Sequence, residues 1–134
     1  KPGGILAFST WPKELFMGKF FKLIEDFSPP LPAEVASPVL WGDMTIIQGR
    51  LENKFEKIEF GRDTMYAPTM SPAHMLKLFE KNAGPLANLV KALDDDPAKL
   101  TKLRNSALDL IEKFFSNNFL KQDFLMTRCI KKSS

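Results

Sequence analysis

The sequence predicts an α/β fold with three strands, at about residues 4–11, 55–66 and 119–131, and about five helices. The first strand contains Ile5 to Phe8, which are apolar without alternation, a pattern typical of strands buried on both faces of a sheet. The last strand has an equally apolar centre, Phe124 to Met126, which favours a central place in the sheet. Between the strands, apolar residues recur at helical spacing.

A tight turn opens the chain, because Pro2 suits the second position of a type II turn and Gly3 the third, where φ is positive. The first strand follows it directly. A helix is then predicted over residues 12–27, since Phe16, Phe20 and other apolar side chains share one face.

The prolines among residues 29–32 end this helix and predict a stiff loop that runs to Trp41. Asp43 is a good N-cap for a second helix that reaches about residue 53. The strand at 55–66 follows, and Gly61 inside it predicts a bulge.

Residues 71–118 are predicted to form a helical insertion between the last two strands. Ser71-Pro72, Gly84-Pro85 and Asp96-Pro97 are start signals that divide it into three helices. The acidic run before Pro97 fits helix capping better than metal binding. Without a repeat or a low-complexity linker, residues 1–134 are predicted to form a single unit.

Composition excludes several classes of protein. The 19 basic and 16 acidic residues are interleaved, so the net charge of +3 does not predict a nucleic-acid partner. The single Cys129 excludes an intrachain disulfide and, with the single His74, cannot supply a zinc site. No apolar run is long enough to span a membrane, so we expect a cytoplasmic protein without a membrane span.

Both ends of the chain resemble class I S-adenosylmethionine-dependent methyltransferases of the ubiquinone/menaquinone-biosynthesis type. The Lys-Pro-Gly-Gly turn and apolar strand of residues 1–11 resemble the segment leading into the fifth strand of these enzymes. Gln-Asp-Phe-Leu-Met-Thr-Arg, residues 122–128, is similar to their last strand, which lies antiparallel between the fifth and sixth. The resemblance implies the C-terminal part of a Rossmann-like sheet, with S-adenosylmethionine as the cofactor of the parent enzyme.

In that family the glycine-rich loop and the ribose-binding acidic residue lie upstream of the Pro-Gly-Gly turn. No G-x-G cluster occurs in the 134 residues, so the resemblance carries no cofactor-binding residue onto this chain, and it names no catalytic residue. We therefore expect the cofactor-binding N-terminal half to be absent here, whether cleaved, omitted or disordered, and this chain alone not to bind the cofactor.

The predicted substrate site lies at the carboxyl end of the first strand, because ligands of open α/β sheets bind beyond the carboxyl ends of the strands. That rule selects Ser9, Thr10 and Trp11. Four further candidates, three aromatic residues for an apolar wall and one lone histidine, are Phe16, Trp41, Tyr66 and His74.

Each of the four also has a structural interpretation. Phe16 shares a helix face with Phe20, as core residues do, and Trp41 and Tyr66 would equally cover a core edge. His74 is either a general base for a hydroxyl or carbon acid or a surface residue of a helix start.

Together these observations predict the substrate-facing portion of a methyltransferase that acts on a small, partly apolar methyl acceptor and is inactive alone. The strand at 4–11 would then have a bare apolar edge, which predicts pairing either with the missing N-terminal half or with a second copy in a homodimer. The alternative is a non-catalytic, methyltransferase-like dimerisation or binding module.

Overall fold

The computed structural model describes residues 1–30, 32 and 35–133, which form a mixed α/β fold with an antiparallel sheet. The elements in chain order are β1 (Ile5–Thr10), α1 (Phe16–Phe27), a 3-10 helix (Pro38–Gly42), α2 (Met44–Leu51), β2 (Phe55–Pro68), α3 (Pro72–Asn82), α4 (Gly84–Ala92), α5 (Pro97–Lys113), β3 (Phe115–Ser116) and β4 (Phe119–Lys131). The five α-helices and the helical insertion agree with the sequence prediction.

The last strand occupies the centre of the sheet, as its apolar pattern predicted. The order is β1-β4-β2, and β4 runs antiparallel to both neighbours. Its register pairs Thr10 of β1 with Leu125, and Pro68 of β2 with Phe119. Since both neighbours are antiparallel to β4, β1 and β2 point in the same direction on either side of it.

The prediction of three strands was wrong, because the sheet contains a fourth. The insertion was expected to stay helical to residue 118, but α5 ends at Lys113 and Phe115–Ser116 forms β3, which pairs with β4. Asn117 and Asn118 join these strands with φ of 50° and 61°. Asparagine tolerates this left-handed geometry, which the tight two-residue turn of a hairpin requires.

The first helix is shorter than predicted. It begins at Phe16 rather than residue 12, because residues 12–15 form a turn in which the Leu15 N–H donates to the Pro12 carbonyl at 3.2 Å. The stiff loop predicted after α1 includes Leu31, Ala33 and Glu34, which lie outside the described residues.

The bulge in β2 does not lie at Gly61, which pairs in regular register with Met126. The register shifts instead between Glu56 and Glu59, where Lys57 has a φ of 49°. A single residue in the left-handed region makes the hydrogen bonding between β2 and β4 locally irregular. Lys57 therefore forms the irregularity that was expected at Gly61.

The side chains of β4 alternate between two cores. Leu120 packs into the larger one, which joins α1 to the helices α3, α4 and α5. Leu125 and Cys129 face the other side of the sheet and pack against Ile47 and Leu51 of α2. Helices therefore cover different parts of the two faces.

Cys129 offers a test of how firmly β1 covers β4. The thiol is buried, its Sγ lies 3.7 Å from the carbonyl oxygen of its cross-strand partner Leu6, and burial raises its pKa. We expect a water-soluble disulfide reagent at pH 8 to modify the native chain at least about tenfold more slowly than the urea-unfolded chain, because thiolate and access are both reduced. Equal rates would show that β1 does not shield this thiol.

Candidate functional site

The predicted corner at the carboxyl end of β1 is well defined in the structure. Ser9 is exposed, whereas Thr10 and Trp11 are half-buried. The Trp11 ring meets the Phe124 ring of β4 edge-on, with centroids 6.4 Å apart. The chain then turns at Pro12, whose side chain is fully buried, and enters α1.

Two glycines hold the backbone of this corner. A Cβ on Gly42 would lie 2.0 Å from the Trp11 carbonyl oxygen, and a Cβ on Gly18 would lie 2.2 Å from the Pro12 carbonyl oxygen. Such distances are far inside van der Waals contact, so only glycine lets the 3-10 helix and α1 approach the corner so closely. Trp11 and Pro12 are thereby clamped between two helical segments.

An apolar groove of about 350 Å³ opens beside the corner, lined by Leu6, Phe8, Thr10, Trp41 and Leu51. The ring of Phe8 contacts the Trp41 ring edge-on at 5.9 Å, and the guanidinium carbon of Arg50 lies 4.6 Å from the Trp41 centroid. The groove thus brings together two predicted site residues, Thr10 and Trp41.

The Thr10 side chain lines this groove but keeps its hydroxyl group buried. Its Oγ1 is buried and has no hydrogen-bond partner among the described residues, and the same holds for Thr127 in the core beneath. A buried hydroxyl without a partner costs about 1–3 kcal/mol. The exposed lining of the groove is nevertheless apolar, because the Thr10 hydroxyl lies beneath its surface.

The rim of the corner is charged but internally paired. Arg62 donates to Glu14 at 3.0 Å, and Lys13 lies 4.0 Å from Asp43. Asp43 also accepts hydrogen bonds from the Thr45 and Ile46 N–H groups as the N-cap of α2, as predicted. These carboxylates are occupied by cations and by the helix cap.

The other three candidates lie away from the corner. Phe16 is fully buried among Phe20, Phe79 and Phe114, so no part of its ring faces solvent. Tyr66 is 59% exposed beside Phe119 near the far end of β2.

Pairing registers place Tyr66 well beyond the end of β1. Its partner in β4 is Lys121, whereas Thr10 pairs with Leu125. Four residues of β4 separate these partners, roughly 13 Å at strand spacing.

His74 lies in the first turn of α3, where its Nδ1 is 2.8 Å from the Thr69 hydroxyl. The buried Thr69 orients the ring, and the Ser71 hydroxyl accepts the His74 N–H as the cap of α3. The predicted general base, His74, is therefore held at the start of α3 by these contacts.

Sequence patterns did not identify Gly18, Gly42 or the groove residues Leu6 and Phe8. Two signals were available in the sequence. Gly18 lies on the buried face of an amphipathic helix, and Gly42 directly precedes the helix cap Asp43. Neither signal predicts which segment of the chain packs against the glycine.

The described residues contain no group of three or more His, Cys, Asp or Glu side chains arranged to hold a metal ion. In the same part of the chain, no helix combines the length and apolar character needed to cross a bilayer.

Similarity searches find relatives in mycobacteria. "Uncharacterized protein Rv1405c" of Mycobacterium tuberculosis is 20% identical over 133 residues, which cover 98% of this chain and 48% of the relative. "Uncharacterized protein Mb1440c" of Mycobacterium bovis matches to the same extent. "Uncharacterized protein Rv1403c" of M. tuberculosis is 22% identical over 125 residues, 92% of this chain and 46% of the relative. The chain thus spans about half the length of these curated relatives, and no family model matches it.

The glycine clamp predicts opposite effects of two Gly→Ala substitutions. Gly42→Ala places a methyl group on the Trp11 carbonyl, so we expect a loss of about 1–3 kcal/mol in the free energy of unfolding. Gly49→Ala, inside α2 with no atom within 4 Å of the new Cβ, is expected to gain about 0.5–1 kcal/mol through helix propensity.

Urea unfolding followed by tryptophan fluorescence measures both variants. A Gly42→Ala protein as stable as the parent chain would contradict the clamp.

Proposed function

We propose that this chain is the substrate-facing, C-terminal portion of an S-adenosylmethionine-dependent methyltransferase of the Rossmann-like class. Its substrate would be a small, partly apolar methyl acceptor, and the chain alone would be inactive. The observation that carries the proposal is the sheet order, with the last strand antiparallel between two strands of common direction. The ends of class I methyltransferase sheets have this arrangement, which the sequence resemblance implied.

The lengths of the relatives support the proposal that the complete enzyme contains a further, cofactor-binding half. The mycobacterial proteins match nearly all of this chain with only about half of their own length, so each has room for a second unit of similar size. In the proposed enzyme that unit binds the cofactor.

The described residues do not themselves fit S-adenosylmethionine. The corner offers an apolar surface, and the nearby carboxylates of Glu14 and Asp43 are engaged by Arg62 and by the start of α2. Neither of these two carboxylates is therefore free of a partner that ribose hydroxyls would have to displace. We therefore assign to this chain only the positioning of the methyl acceptor.

Positioning is a substantial contribution to such a reaction. Methyl transfer from a sulfonium needs the nucleophile in line with the methyl carbon and water kept out, more than it needs a fixed acid or base. A rigid corner supports the first requirement, since Gly42 packs closely on Trp11 and Gly18 packs closely on Pro12. The apolar groove beneath Trp41 supports the second.

The alternative is a non-catalytic dimerisation or binding module, which would use the free edge of β1 to bind its partner. Lys131 donates to the Gly4 carbonyl, so by alternation Leu6, Phe8 and Thr10 bond toward β4, and the intervening residues present their backbone groups outward. Ile5 on this edge is 61% exposed. Both proposals require a partner along β1.

Calorimetric titration with S-adenosylmethionine separates the two functions. We expect full-length Rv1405c to bind the cofactor and the 134-residue chain not to bind it at millimolar concentration. Adenosine, which lacks the sulfonium and the amino-acid group, serves as the control ligand. Tight binding by the 134-residue chain would contradict the proposal that the cofactor-binding half lies outside it. Absence of binding by full-length Rv1405c would favour the non-catalytic module.

The free edge is tested by a lysine placed on it. We expect the chain to associate at high concentration in sedimentation equilibrium and Ile5→Lys to return it to the 15.2 kDa monomer, because lysine on an edge strand opposes pairing. The matched control is Met70→Lys, at a loop position that is 74% exposed. The proposal that the chain associates through β1 would be wrong if the parent chain stayed monomeric. It would also be wrong if both variants had equal effects.

A further inference from the structure

A second pocket, separate from the corner, lies against the C-terminal end of α1. Its volume is about 450 Å³, within the usual range for small-ligand sites. None of the predicted site residues lines it. The lining residues come from the end of α1 and from the starts of the 3-10 helix and α4: Phe21, Ile24, Glu25, Ser28, Pro29, Pro30, Pro38 and Pro85.

Four prolines make the walls of this pocket rigid. Pro29 and Pro30 follow α1, Pro38 opens the 3-10 helix and Pro85 lies in the first turn of α4. Each ring fixes φ at its position, so little conformational freedom remains to be lost when a ligand binds. Pro85 also has no N–H, and at that point α4 presents an apolar ring instead of a hydrogen-bond donor.

The polar groups at one end of the pocket favour positive charge. Glu25 is half-buried there, and its Oε1 accepts a hydrogen bond of 2.7 Å from the Ser37 hydroxyl, which fixes the carboxylate. None of the ion pairs among the described residues includes Glu25. Lys22, one turn earlier on α1, bonds to Asp26, which is the main cause of its raised pKa, and the charge of Glu25 contributes least to that rise.

The helix end adds to this charge. α1 has no basic residue in its last turn, and its terminal carbonyls carry the negative end of the helix dipole. Ser28 caps them in part, with its N–H donating to the Ile24 and Glu25 carbonyls and its hydroxyl to the Ile24 carbonyl. The Glu25 carboxylate and the C-terminal end of α1 are therefore both negative and lie at the same end of the pocket.

We propose that this pocket binds a small organic cation, in which an ammonium group is attached to an apolar body. The ammonium contacts Glu25 and the carbonyl end of α1, and the body lies on Ile24 and the proline rings. Phe21 provides an aromatic surface of the kind that attracts ammonium groups. This binding site goes beyond the proposed methyltransferase function and does not depend on it.

Protonated benzylamine is the probe, and benzyl alcohol is its neutral match in size and shape. In ¹H–¹⁵N spectra of the 134-residue chain, we expect benzylamine to shift the amides of residues 21–28 and of Gly84, Leu86 and Ala87 at millimolar concentration. Benzyl alcohol should bind at least about tenfold more weakly, because it lacks the charge that Glu25 pairs with.

Glu25→Gln keeps the shape of the side chain and an acceptor for Ser37 while it removes the charge. We expect it to lower the affinity for benzylamine about tenfold and to leave benzyl alcohol binding unchanged. The matched control is Glu52→Gln, which removes an exposed charge at the C-cap of α2 and should change neither.

Three results would overturn the proposal: equal affinity for both probes, benzylamine shifts that map elsewhere, or full affinity in the Glu25→Gln variant. The absence of any shift would overturn it as well. None of these outcomes bears on the titrations with S-adenosylmethionine, which test a different surface.

Discussion

The two cores of the molecule share one strand. Side chains of β4 alternate across the sheet, so Leu120 belongs to the helical core and Leu125 and Cys129 belong to the core under α2. Because successive side chains of a strand point to opposite faces, a slip of one residue in β4 would exchange these two sets. The register of β4 is thus constrained from both sides at once, and β1 and β2 take their positions from it.

The register of β4 fixes the position of the candidate site through backbone contacts rather than through side-chain interactions. Pairing of Thr10 with Leu125 fixes the end of β1, and the close approach of Gly18 and Gly42 fixes the turn that follows. The corner is built where three separate segments meet, which keeps Trp11 and the groove beneath Trp41 in a defined relation. Rigid scaffolds of this kind commonly carry binding residues on the segments that leave them.

Local patterns predicted most of the fold. Helical spacing and start signals identified the five helices, and the unalternating apolar centre of β4 identified the middle of the sheet, since both signals lie within a few residues. The same apolar pattern predicted that β1 is buried on both faces, and this was wrong, because β1 is an edge strand in which Ile5 is 61% exposed. The bulge at Lys57 was missed because it depends on pairing with the far end of the chain, near Ile130. The strand β3 was missed although its partner Phe119 is close in sequence, because two residues are too short to show a strand pattern.

The candidate site was predictable only in part. The direction of β1 selected Thr10 and Trp11, and Trp41 does lie in a groove with Thr10. Helical spacing could not say whether Phe16 lay in a pocket or in the core, because both give the same apolar face. The glycine clamp and the proline-walled pocket arise from contacts between segments far apart in the chain, which no local pattern records.

The pairing of β1 with β4 also has a consequence for how the chain folds. Leu6 and Cys129 face each other across the sheet although 123 residues separate them. Contacts of such long range close late and slow the folding of a domain. During synthesis β1 emerges before the other described strands, so its hydrogen-bonding edge toward β4 stays unpaired until β4 has been made, and it is prone to aggregation in that interval.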